Sequence, residues 1–129
     1  RMAAALVQQE RVKRELELAR QIQESLLPAP RDGGFPVHGR NLPAYEVSGD
    51  FFDFMPLADG RVYFCIADVA GKGMNAALLM ARTLGLLRCL ARRVATPGAL
   101  LAEVNAELCE TTPLGLFVTA VAGFLDPLS

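Results

Sequence analysis

A chain of 129 residues is long enough for one domain with a real core, and 52% hydrophobic against 21% charged residues is the balance of a soluble globular protein. Its formal net charge of -1 supplies no field to draw in nucleic acid or an anionic lipid surface, so a phosphate-bearing partner has to be recognised locally. Three cysteines, Cys65, Cys89 and Cys109, lie too far apart for the pair spacings of zinc or redox sites. They read as buried thiols, and with no signal peptide in view they point to a reducing, cytoplasmic setting.

The first predicted element is a helix over 3–27, a stretch without proline or glycine in which Leu, Ala, Glu, Gln and Arg dominate. Two dispositions are open to it. Ala5, Val12, Ala19 and Leu26 recur every seven residues with Gln9, Leu16 and Gln23 between them, which makes a coiled-coil seam weakened by two glutamines. Alternatively, the helix is amphipathic and packs on its own domain. Glu10 with Arg14, and Arg20 with Glu24, would support its exposed side. Pro28 and Pro30 stop the helix, and the stretch to Pro36, with Asp32, Gly33 and Gly34, has the composition of a connecting loop. The expected organisation is a linker helix over 1–27, a connecting loop over 28–36 and a globular portion over 37–129.

Residues 47–57 and 61–69 are rich in aromatic and β-branched side chains and flank Ala58, Asp59 and Gly60, which predicts a β-hairpin. Residues 74–93 read as a helix, apolar nearly all round in its first half, so that half is expected to be buried, with Met74 and Met80 filling core. The longest apolar run, 74–87, is interrupted by Arg82 and too short to cross a bilayer, so no membrane partner is expected. Arg88, Arg92 and Arg93 fall near the helix end, where positive charge complements the dipole. Pro97 opens a shorter helix to about Glu110, and 115–125 reads as a last strand. Strand, strand, helix, helix, strand is an α+β order. The chain stops at Asp126-Pro127-Leu128-Ser129, a turn composition, with Asp126 a turn residue; a strand needs a neighbour, so the domain is expected to continue past Ser129.

Loop length decides whether Asp50 and Asp68 can cooperate, because a one-residue slip moves a side chain to the other face. With Ala58, Asp59 and Gly60 as a three-residue loop and Gly60 left-handed, Leu57 faces Arg61 and Asp50 faces Asp68. Their Cβ atoms would then lie roughly 5 Å apart on a face shared with Phe52 and Ile66, Phe54 and Phe64, Pro56 and Val62. A two-residue Asp59-Gly60 turn would instead put the acids on opposite faces. Two carboxylates at the end of an apolar wall repel one another and lose hydration unless a cation sits between them. Oxygen-only ligands favour Mg²⁺ or Mn²⁺ over Zn²⁺. The plainer reading is that one or both acids cap a strand or the following loop.

After Asp68, the run Val69-Ala70-Gly71-Lys72-Gly73-Met74-Asn75 joins a buried strand to a helix through two glycines. Backbone N–H groups at Gly71, Lys72 and Gly73, the start of the helix and the Lys72 charge could hold an anion, although the spacing is not that of a Walker loop and a plain tight turn would look the same. Asp53 falls on the face opposite Asp50 and reads as structural. His38 stands alone in a proline-flanked segment and reads as a surface residue.

Taken together, Glu46 to Phe54 (Glu-Val-Ser-Gly-Asp-Phe-Phe-Asp-Phe), Ile66 to Gly73 (Ile-Ala-Asp-Val-Ala-Gly-Lys-Gly) and the following Ala76-Ala77-Leu78-Leu79-Met80 closely resemble bacterial PPM-type (protein phosphatase 2C-like) serine/threonine phosphatases of the stage II sporulation protein E and sigma-factor regulator class. The likeness continues through Asn105, Gly115 to Thr119 and Leu125 to Pro127, and backwards into Glu17 to Pro28. The resemblance implies a β-sandwich of two antiparallel sheets flanked by helices, of which this chain is the N-terminal portion, with two Mn²⁺ or Mg²⁺ ions at one end. Asp68 would bridge the metals, Asp50 would bind directly or through water, and the Val69 carbonyl would be a further ligand. The implied activity is hydrolysis of a phosphoserine or phosphothreonine by a metal-activated water. Implied partners are a phosphorylated anti-sigma antagonist or similar signalling protein, an upstream sensor domain, and a second copy through the N-terminal helix.

Ser48 and Ala70 stand where the family often has glycine and serine. The family's remaining metal-binding aspartates belong to a later part of the domain, so this chain alone is expected to bind metal weakly and to have little or no phosphatase activity. The competing reading is a non-catalytic signalling or dimerisation module built on an incomplete or degenerate phosphatase fold.

Overall fold

The computed structural model describes residues 2–31, 33–41, 49–71, 73–113 and 115–128. Helix α1 (Met2–Leu26) leads into strands β1 (Asp50–Pro56) and β2 (Val62–Val69), helices α2 (Gly73–Ala91) and α3 (Pro97–Thr111), and strand β3 (Val118–Leu125). The strands form one antiparallel sheet in the order β1-β2-β3, α2 and α3 pack on one face of it and α1 packs on α2, which is the α+β class expected. Among the described residues there is one sheet of the implied two. Residues 47 and 48, expected to begin the first strand, lie outside the described residues, as does Lys72.

Local chemistry accounts for the boundaries. At the β1–β2 turn, Leu57 N–H donates to the Arg61 carbonyl at 2.8 Å and Gly60 N–H to the Leu57 carbonyl at 3.1 Å, with Gly60 at φ +91°. That is the three-residue loop, whose closing position needs the left-handed conformation glycine adopts without steric cost. Helix α3 starts where Thr96 Oγ1 accepts the Ala99 N–H at 3.2 Å and Pro97 occupies the first turn, satisfying one of the donors left over at a helix start.

Alternation along the strands puts Phe51, Met55, Tyr63, Cys65, Ala67 and Val69 on the inner face. Against them α2 presents Ala76, Leu79, Met80, Leu84 and Leu87 at helical spacing, and α3 adds Leu100 and Val104. Burial pushes the Cys65 thiol up to about 11, so it stays protonated and inert.

Helix α1 differs along its length. Leu16, Ala19, Gln23 and Leu26 turn at least partly inward and the C-terminal part packs against α2, whereas Met2 to Glu15 are exposed throughout. Arg11 pairs with Glu15 at 3.5 Å and Arg20 with Glu24 at 3.7 Å; Glu10 and Arg14 do not pair.

Several expectations are corrected. The first half of α2 is not buried all round: Leu78 is 62% and Met74 37% exposed, because the sheet and α3 cover the inner side and no described residue covers the outer one. Met80 is core at 1% exposure, but Met74 is not. Cys89 and Cys109 are exposed free thiols, the first on that uncovered side of α2 and the second on α3. Helix α2 ends at Ala91, so Arg92 and Arg93 lie beyond its last turn. At 19 residues α2 is also long and apolar enough, by length and composition, to cross a membrane, although the run counted in the sequence was shorter; here its inner stripe is core.

Candidate functional site

The register follows from the turn. Asp50 pairs with Asp68, Phe52 with Ile66, Phe54 with Phe64 and Pro56 with Val62, and on the far side of β2 Asp68 pairs with Thr119 and Ile66 with Val121. These residues share the sheet face away from the helices. Phe54 is sealed there: Phe35 packs on it with ring centroids 5.4 Å apart, and the Arg31 guanidinium lies 4.7 Å over the Phe35 ring. Towards the acids the face opens, and Ile66 and Val121 are 62% and 63% exposed. The opening is a cleft of about 500 Å³ whose walls include Arg40, Asn41, Asp50, Phe52, Asp68 and Thr119.

The two carboxyl groups face one another across the β1–β2 pair. A hydrogen bond with Asp68, then partial burial, then the repulsion of the Asp68 charge hold the Asp50 carboxyl above the usual aspartate range. Side chains from either side fix the backbone beneath them: Asn41 Nδ2 donates to the Asp50 carbonyl at 3.2 Å, and Thr119 Oγ1 donates to the Asp68 carbonyl at 3.3 Å. At the strand end, Val69 N–H donates to the Gly49 carbonyl at 3.0 Å and, just beyond it, Ala70 N–H donates to the Phe117 carbonyl at 2.8 Å, which anchors the turn on both neighbours. Gly71 and Gly73 then take φ of +109° and +74° and bring the chain into α2 beside Asp68.

The donors suit a hard divalent cation, since two facing carboxylates carry a charge that such an ion would neutralise and offer it only oxygen. Among the described residues no third aspartate, glutamate, histidine or cysteine joins them. Two carboxylates are fewer ligands than a hard divalent cation takes.

Two predictions arise from this geometry. A folded-state value raised above 3.8 means the native protein holds a proton on Asp50 that the unfolded chain releases, so the contribution of that group to stability is present below pH 3.8 and lost as pH rises through the folded value. Asp50→Asn should therefore stabilise the metal-free protein at pH 7 by about 0.2–1 kcal/mol, the scale of like charges paired across strands, with the lower end favoured by solvent screening, and should gain little at pH 3.5; thermal denaturation at both pH values checks it. At Gly49 the backbone passes so close to the Val69 carbonyl that a methyl group would sit 2.7 Å from its oxygen. Gly49→Ala should thus cost about 1–3 kcal/mol in urea denaturation, because backbone rather than a mobile side chain must give way.

Of the sequence-predicted site residues, Asp50 and Asp68 are brought together, with Val69, Gly71 and Gly73 following directly in the chain; Lys72 lies outside the described residues. His38 is exposed, and Asp126 accepts the Leu128 N–H at 3.0 Å as a turn residue does. Asp53 is on the inner face as alternation required, but its partner was missed. Its fully buried carboxylate receives Arg88 Nε at 2.8 Å and Arg88 NH2 at 2.5 Å, and Arg88 is held more firmly protonated by that bond. An acid forced inward by strand alternation was itself a signal that a cation must follow it. Arg40 and Asn41 were also missed, lying in a stretch with no periodicity.

The chain is similar to known bacterial proteins. RsbU, a phosphoserine phosphatase of Bacillus subtilis (strain 168), is 28% identical over 113 residues, covering 86% of this chain and 33% of RsbU. Protein IcfG of Synechocystis sp. (strain ATCC 27184 / PCC 6803 / Kazusa) is 36% identical over 93 residues, covering 70% of this chain and 15% of IcfG. The chain thus spans a third or less of the curated relatives it matches. The sequence model of the stage II sporulation protein E (SpoIIE) family matches residues 58–129, from the hairpin turn through Asp68 and the glycine turn to the last strand. With more than half of its length inside that match, the chain belongs to the SpoIIE family.

Proposed function

We propose that this chain carries half of the active site of a metal-dependent phosphoserine/phosphothreonine protein phosphatase acting in bacterial signalling of the sigma-factor regulation type. The observation that carries the reading is the Asp50–Asp68 pair at the open end of the sheet, in a chain of this family. Asp50, Asp68 and the Val69 carbonyl would hold Mn²⁺ or Mg²⁺, with the backbone of Gly71, Lys72 and Gly73 near the phosphate. A bound pair of ions would supply the positive charge that activates a water and steadies the departing oxygen. The chain's part is to face the two carboxyl groups into one cleft, where the charge of a bound cation would favour their ionised forms. As the bond from water to phosphorus forms, the ester P–O bond breaks, its electrons stay on the serine or threonine oxygen, and that oxygen takes up a proton.

The substrate class we propose is a phosphorylated signalling protein of the anti-sigma antagonist type, in the cytoplasm. Exposed Leu6, Val7 and Val12 on the free half of α1 suit a link to an upstream sensor domain or a second copy of the helix. The experiment is hydrolysis of p-nitrophenyl phosphate by the complete protein with Mn²⁺, and its loss in Asp68→Asn. The 129-residue chain alone is expected to be nearly inactive. The lack of a third ligand among the described residues favours one other reading, a non-catalytic relay module, and inactivity of the complete protein with Mn²⁺ would select it.

A further inference from the structure

Of the described residues lining the acidic cleft, Arg40 is the one with a positive charge. Its placement is not that of a loose surface arginine. On one side, Gly39 lies so tightly on the Phe52 ring that a methyl group there would overlap the ring carbons. On the other, Asn41 is tied through its side chain to the Asp50 carbonyl. Phe52 and Asp50 are alternate residues of β1 on the same face, so the segment carrying Arg40 is pinned at two points along the edge of the cleft.

Among the described residues Arg40 also has no ion-pair partner. The ion pairs among the described residues are Arg11 with Glu15, Arg20 with Glu24, Arg61 with Asp59 and Arg88 with Asp53. Arg31 is engaged over Phe35 and Arg61 also lies over Phe124. Arg40 has no acid among the described residues and is exposed to solvent at the cleft. A cation on the wall of a cleft that also holds two acids, and in none of the ion pairs among the described residues, is placed for an anion that comes from outside. A phosphoryl group matches it, because its oxygens accept the parallel N–H donors of the guanidinium fork.

We infer that Arg40 binds the phosphoryl group of the substrate at the edge of the Asp50–Asp68 cleft. The inference rests on the phosphatase reading above and deepens it by naming the residue that captures the phosphate. Arg40 lowers the repulsion a phosphate dianion meets on approaching two acids, and it orients the dianion while the carboxylates are occupied with cations. Such a residue acts on phosphate affinity and leaves metal affinity alone.

The test uses the complete protein with saturating Mn²⁺ and three readouts: KM for p-nitrophenyl phosphate, inhibition by inorganic phosphate, and calorimetric binding of inorganic phosphate. Arg40→Ala is expected to weaken all three by about 10- to 100-fold, the range for a charge-assisted hydrogen bond to an ionised partner, with kcat falling less than KM rises. Arg40→Lys should recover part of the loss, since it keeps the charge and loses the fork. The Mn²⁺ concentration for half-maximal activity should not move. Unchanged phosphate inhibition and binding in both variants would overturn the inference, as would a shift confined to Mn²⁺ dependence or melting temperature. Asp68→Asn run in parallel separates the two claims: if it abolishes hydrolysis while Arg40→Ala leaves phosphate binding intact, the phosphatase reading stands and the role of Arg40 does not.

Discussion

Replacing Arg88 by alanine is expected to lower folding stability by about 3 kcal/mol, measured by urea denaturation of the metal-free protein. Asp53 is the reason. Its carboxylate is wholly enclosed between β1 and α2, where its Oδ1 also accepts the Phe54 N–H at 2.9 Å, and the two bonds from Arg88 are what compensate its charge. Removing the guanidinium leaves an ionised group without a counter-charge in a place water reaches poorly, which generally costs about 3–5 kcal/mol. The low end applies because the Arg88 side chain is itself 37% exposed, so solvent enters from its side once it is truncated. A double replacement, Asp53→Leu with Arg88→Met, should recover most of the loss, since an apolar pair of similar volume has no charge to desolvate. A single-variant loss below about 1 kcal/mol would mean that the pair is no more than a surface bridge.

That pair shows where sequence reading stopped. The face of Asp53 was legible because side chains alternate along a strand, and the facing of Asp50 and Asp68 because a three-residue turn admits one register. Both are local rules acting over a few residues. The link from Asp53 to Arg88 spans 35 residues and depends on how α2 lies across the sheet, so Arg88 read only as a charge suited to a helix end. Burial failed for a related reason. The sequence of α2 is apolar on most sides, yet which sides are covered depends on neighbours, and Leu78 and Cys89 face a side that no described residue covers. Arg40 was illegible in another way: what places it is the fit of Gly39 to an aromatic ring two strands' width of sequence away, and spacing carries no trace of such a contact.

At Asp68 the same kind of change should have the opposite sign for stability and a far larger effect on chemistry. Asp68→Asn preserves shape, and the backbone around it stays held by its pairing with Asp50 and Thr119 and by the Thr119 hydroxyl on its carbonyl. What disappears is a negative charge facing the Asp50 carboxyl across the strand pair, so the metal-free protein should be at least as stable as the parent in thermal denaturation. Under the phosphatase reading, Mn²⁺-dependent hydrolysis by the complete protein should fall by roughly 10²- to 10³-fold or more, the scale of losing one preorganised electrostatic contact at a reacting centre. Calorimetry should show weakened Mn²⁺ binding alongside it. Asp53→Asn is the matched control: it also neutralises one acid on a strand of the same sheet, but on the face that packs against α2, so it should reduce stability while leaving the carboxylate pair in place. Loss of activity at Asp68 without loss of stability, and the reverse order at Asp53, is the pattern expected when one face of a sheet holds the fold and the other holds the ions. An Asp68→Asn protein that keeps the parent rate would remove the chemistry from this cleft altogether.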